Sequence, residues 1–124
     1  MIEIVVHYDI NRTSQNQRRH WREWMGVTAR AKQIARAAWV QAGKPIAHGP
    51  VILDIIVRRA RRMDYFNIHG ACKPLIDGIF NDGVTRHDGP TCLKPGRVIQ
   101  EQHKDYKGRE QVVFRCFEEG DHTT

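Results

Sequence analysis

The sequence predicts a small single domain of the α/β (α+β) class, a mixed β-sheet with two main helices packed on one side. Three observations point there. Runs rich in β-branched residues at 2–8 ("IEIVVHY") and 51–57 ("VILDIIV") read as strands. Between them the apolar residues recur at helical steps of three and four. A second, shorter helical pattern then precedes two more strand-like runs near the C-terminus. The order β-α-β-α-β-β implies helices layered against a sheet. At 124 residues the chain is expected to form one domain, with a frayed tail from about 118 to 124.

Each element follows from local chemistry. Residues 21–42 place Trp24, Val27, Ala31, Ile34 and Ala38 on one helical face, and Gly43 and Pro45 supply the stop. Gly49-Pro50 opens the second strand. That strand is apolar on both faces except at Asp54, so it is expected to be central. Residues 73–80 ("KPLIDGIF") read as a short helix, with Leu75, Ile76 and Ile79 inward and Asp82-Gly83 ending it. The segments 97–104 and 110–117, joined by the turn-prone "DYKG", are expected to pair as a β-hairpin.

Composition narrows the function classes. No apolar run approaches the ~18–20 residues of a membrane span, so no membrane partner is expected. The start "MIEIVVHYD" lacks the basic region and cleavage site of a signal peptide. Three cysteines (Cys72, Cys92, Cys116) at irregular spacings argue against a disulfide framework, and a cytoplasmic location is expected. The formal net charge of +6 is the footprint of a polyanion binder. No glycine-rich phosphate loop is present, so nucleotide hydrolysis is not predicted. His69, Cys72, His87 and Cys92 match no zinc-site spacing.

The charged residues cluster around the second strand's exit. Arg58, Arg59, Arg61 and Arg62 crowd its end and Asp64 follows. Further on, Lys73 and Asp77 lie four apart on one helical face, and Asp88 follows in the next loop. Carboxylates that converge beside a lysine, flanked by arginines, suit a Mg²⁺ or Mn²⁺ site that grips a phosphate backbone. Asp64 also fits a simpler role as a helix cap. Upstream, Arg18, Arg19, Trp21 and Arg22 mix cations with aromatics, a composition for phosphates and unpaired bases; the tryptophans are expected to be mostly buried and the arginines to face DNA.

The ordered run Asp64-x-x-Asn67, Lys73, "LIDGI" (75–79), "DGV" (82–84) and "HDGP" (87–90) resembles the RusA-like Holliday-junction resolvases, a family of endodeoxyribonucleases. The resemblance implies an intertwined homodimer that cleaves branched DNA (four-way junction, flap or fork) with Mg²⁺ or Mn²⁺, in recombination, repair or phage DNA processing. It implies Asp64, Lys73 and Asp88 as catalytic residues and Asp64, Asp88 and Asp77 as metal ligands. The DNA contacts it accommodates are Arg18, Arg19, Arg22, Arg58, Arg59, Arg61, Arg62 and Asn67. Two positions depart from the pattern: Phe66 stands where the family has a second acid, and His87 where it has the first acid of a pair. A dimer that binds branched DNA without cutting it is therefore the alternative.

Overall fold

Residues 1–14 and 20–119 are described by the computed structural model. Along them run β1 (Ile2–Val6), α1 (Trp21–Gln41), β2 (Val51–Arg59), α2 (Tyr65–Phe80), β3 (Leu93–Gln102) and β4 (Gln111–Glu118). The four strands make one mixed sheet in the order β1-β4-β2-β3. β4 runs antiparallel to both its neighbours, and β3 runs parallel to β2. This is the expected α+β domain, with β2 in the interior of the sheet.

The hairpin expectation is corrected. β3 and β4 lie on opposite sides of β2 and do not pair with each other. The chain β2-α2-β3 is a parallel crossover unit, and the helix between the two strands is what makes parallel pairing possible. The link 103–110 then has to step across β2, two inter-strand spacings or roughly 10 Å. It does so through a 3-10 turn at Lys104–Tyr106 and Gly108, whose φ of +76° suits glycine. β3 also begins at Leu93, earlier than expected. It is an edge strand, which accommodates Pro95.

α2 starts a full two turns before the expected segment, at Tyr65. Asp64 caps it: its Oδ1 accepts from the Phe66 amide at 3.1 Å. The phenol of Tyr65 donates to the Val98 carbonyl and ties this end of the helix to β3. α1 ends where Gly43 takes a left-handed φ of +92°.

Alternation divides the sheet into two unlike faces. Val51, Leu53, Ile55 and Val57 of β2 join Ile4, Val6, Val112, Phe114 and Cys116 under the helices. α1 covers them with Ala31, Ala35 and Trp39, and α2 with Ile68, Leu75, Ile79 and Phe80. Phe80 meets Phe114 edge-on, ring centroids 6.2 Å apart, so Phe80→Ala should cost about 3–5 kcal/mol. The opposite face carries rows that cross the strands. Val5, Val113, Ile56 and Ile99 form an apolar row by register. On either side lie polar rows, Glu3–Arg115 with Asp54–Arg97, and Gln111–Arg58–Glu101. Ile56 and Val113 are buried without a helix above them, which fits cover by the long arginine stems.

Both helices follow parallel strands, so they run side by side in the same sense. Gly78 allows the close approach: a Cβ there would lie 2.4 Å from the Lys32 carbonyl oxygen. Further along, Arg36 donates to the carbonyls of Asn81 (3.0 Å) and Asp82 (2.7 Å). No helix among the described residues is long and apolar enough to cross a membrane.

Candidate active site

The loop after α2 folds back along the helix it leaves. Val84 donates to the Ile79 carbonyl at 2.9 Å, and the Thr85 hydroxyl lies 2.9 Å from the carbonyl oxygens of both Phe80 and His87. Asn81 then receives the Asp88 amide on its Oδ1 at 3.2 Å. The result sets Asp88 against the middle of α2. Lys73 Nζ donates to Asp77 Oδ1 at 2.7 Å and also to Asp88 Oδ2. One ammonium thus sits between two carboxylates from different elements.

The charges respond to one another. Hydrogen bonding to Asp77, then to Asp88, holds Lys73 above the ordinary lysine range. Asp88 is held below the usual carboxylate range, first by Lys73 and then by Asp77. By formal charge the cluster is one ammonium between two carboxylates, net negative by one. It opens onto a pocket of about 240 Å³, where His69, Lys73, Asp88 and Lys94 rim a floor that includes Leu53, Ile55 and Ile76. Lys94 is paired with Glu119. Sequence reading missed Lys94, because β3 was expected to start later, and Asn81, whose role as the orienting group depends on the loop's return path.

Asp64 is placed elsewhere. Lys73 lies nine residues along, roughly 13 Å of helix axis, and that spacing turns it to the opposite side of α2. The expected convergence of Asp64 on Asp88 is therefore replaced by the pair Asp77–Asp88. Among the described residues no three His, Cys, Asp or Glu side chains gather as a metal group. Two carboxylates that share a cation still fit Mg²⁺ chemistry, since that ion is commonly held by one or two carboxylates with water and phosphate completing its shell. Lys73 is the stand-in cation that reveals the fit. The His/Cys set does not assemble around Cys72, which is buried in the core with its thiol pushed up to about 12.

The expected DNA contacts divide. Arg18 and Arg19 lie outside the described residues. Arg58 is held by Glu101 at 3.1 Å and by Gln111 at 3.2 Å, and Arg59 by Asp9 at 2.9 Å. These two guanidiniums are already neutralised within the fold, which corrects the expectation of a four-arginine patch. Arg61 and Arg62 are exposed, and among the described residues no carboxylate pairs with either. Nor does any arginine pair with Asp64 there. Arg22 lies 5.3 Å from the Trp21 ring centroid. Asn67 sits half-buried in the first turn of α2, its amide donating to the Asp64 carbonyl at 3.0 Å. Trp21 is 60% exposed, against the expectation that the tryptophans are mostly buried. Helical spacing sets it one turn before Trp24 and Met25, which line a trough between the two helices, and the His20 ring lies 5.8 Å from it.

Comparison with family models, with curated proteins and with solved structures gives no match. The functional reading therefore rests on the residues and their placement.

Proposed function

We propose that the protein is a metal-dependent endonuclease that cleaves branched DNA, with Asp77, Asp88 and Lys73 at its centre. One observation carries the reading: two carboxylates from separate elements aim at a single exposed cation, Lys73, at the edge of a pocket that Asp88 and Lys94 also line. The ordered motif run from Asp64 to Asp88 supports it. The residues that would hold Mg²⁺ or Mn²⁺ are Asp77 and Asp88. A divalent cation there supplies Lewis acidity at a phosphate and lowers the pKa of a bound water.

The chain's own groups do the rest. Lys73, whose ammonium already sits at the carboxylates, offsets the negative charge that builds on the phosphate oxygens in the transition state. Hydrolysis adds water oxygen to phosphorus and breaks a P–O ester bond, and the departing oxygen takes up a proton. Arg61 and Arg62 supply phosphate contacts that hold the substrate without reading bases. In this reading Asp64 acts as the cap that fixes the start of α2. A homodimer would suit paired cuts on symmetry-related strands.

Incubation of the purified chain with labelled four-way junction, flap and fork, with Mn²⁺ or Mg²⁺ and with or without chelator, tests the proposal. Nicking that needs the metal and is lost in Asp77→Asn and Asp88→Asn is expected. Nicking indifferent to chelator, or retained in both variants, would sink it. The second reading, a dimer that binds branched DNA without cutting, is favoured by Phe66, an exposed aromatic where the resembled family has an acid. Tight binding with no nicking under either metal would select it.

A further inference from the structure

The trough between α1 and α2 lies beside the Lys73 cluster and shares its residues. It has a volume of about 370 Å³, with Met25, Thr28 and Ala29 on one wall and Gly70 and Pro74 on the other. Its depth comes from sequence: Ala29 and Gly70 are too small to close the gap. The far end carries Lys32, and beyond it Lys73, whose charge is already met by Asp77 and Asp88.

Trp24 lines the near end, and two further rings lie a turn beyond the lining residues. Trp21 lies one turn before Met25 on the same flank of α1, and the two are 60% and 59% exposed. Phe66 lies one turn before Gly70 on α2 and is 94% exposed. A soluble surface does not ordinarily leave such side chains together in water, so they mark a contact surface.

We propose that this trough seats unpaired nucleotides of a branched DNA strand, bases against Trp21, Met25 and Phe66 and phosphates toward Lys32. The combination of ring faces with cations suits single strands and not a paired helix, whose bases are stacked on each other. An anionic peptide could also meet Lys32, but it lacks the bases that would stack on the rings, so the combination selects a nucleic-acid strand. This inference rests on the nucleic-acid reading of the same site and adds a preference: flaps and forks, which have unpaired nucleotides beside the cut, above fully paired four-way junctions.

Fluorescence anisotropy of the full-length chain in chelator tests it, with a short oligothymidylate as probe and a duplex of equal phosphate count as control. The oligothymidylate should bind about tenfold more tightly than the duplex. Trp21→Ala and Met25→Glu should each weaken the oligothymidylate by roughly fivefold or more while duplex binding stays within about twofold, and Trp21→Phe should restore it. Both side chains are largely in water, so the folded state should survive, which a thermal melt checks. Equal affinity for the two probes, or variants without effect, would overturn the proposal. So would light scattering that shows Met25→Glu breaking a self-associated protein apart, since a second copy would then fill the trough. Oligothymidylate binding without metal-dependent nicking keeps the trough and removes the nuclease. Nicking of paired junctions with no single-strand preference does the reverse.

Discussion

Asp54 and Asp88 lie on either side of the same sheet, and both face a cation. Asp54 is 2% exposed and takes three hydrogen bonds from Arg97: from the backbone amide at 2.8 Å, Nη2 at 3.1 Å and Nε at 3.3 Å. Gly96 makes the room, since a Cβ there would lie 2.3 Å from Asp54 Oδ1. The Asp88 side chain is 22% exposed and meets a lysine that is 58% exposed, with a second carboxylate sharing it. The charges are alike but the solvent is not. In the sheet a separated pair would leave an anion in a low dielectric; at the pocket water replaces either partner at little cost. Asp54 is therefore a structural acid, and the Asp77–Asp88 pair is free to exchange its ammonium for another cation.

The contrast breaks most sharply on activity. Asp88→Asn should lower metal-dependent nicking by about 10³-fold, the scale of losing an electrostatic group in an active site, while changing the melting temperature by no more than about 4 °C. Asp54→Ala should do the opposite. It should cost about 3 kcal/mol in denaturant unfolding and leave activity per folded molecule nearly unchanged. If the two variants lose stability equally, the distinction between a fixed and an exchangeable site fails.

Arginines divide in the same way. Arg58→Gln removes a guanidinium held by Glu101 and Gln111, so it should lower stability by about 1 kcal/mol and leave the salt dependence of DNA binding alone. Arg61→Gln with Arg62→Gln should leave stability alone and reduce the slope of log K against log salt by about 2. A reduced slope from Arg58→Gln would mean that DNA draws it away from Glu101. Asp64→Ala belongs with the structural class: a loss of about 1 kcal/mol from the α2 cap, with nicking retained.

Much of the fold was legible because its signals are local. The apolar steps from Val27 to Ala38 and the stop at Gly43 locate α1, and a strand apolar on both faces had to be central. The β3–β4 relation was not local. "DYKG" reads as a hairpin turn, and only the crossover geometry of β2-α2-β3 reveals that β2 must lie between the last two strands. At the site, Lys73 with Asp77 was readable from helical spacing. Their union with Asp88 depended on the return of the 81–88 loop, which follows from Thr85 and Asn81 hydrogen bonds that no periodicity announces. Asp64 was ambiguous for a physical reason: the same position, just before a helix, serves a cap and a ligand equally well. The exposure of Trp21 was hidden because a helical wheel gives direction and not whether a neighbour is there.

The smallest expected effect is the pH dependence of the pocket cluster, and its sign discriminates. Asp88 is held below the usual carboxylate range by Lys73 and then Asp77, so its stabilisation is complete above the unfolded carboxylate pKa, about 4, and fades as pH falls through the lowered folded value. Lys73 is held above its usual range by Asp77 and then Asp88. Its stabilisation is complete below about 10.4 and fades only as pH rises through a value higher still. Between those limits both terms are constant. The stability advantage of wild type over Asp88→Asn should therefore be flat from about pH 5 to 9, and under about 1 kcal/mol because water and salt screen exposed pairs. Denaturant unfolding of both proteins across pH should show that advantage shrinking below about pH 4. An advantage that grew with acid would mean that Asp88 prefers its proton in the folded state, and an acid of that kind would not stand ready, ionised, to receive a cation at neutral pH.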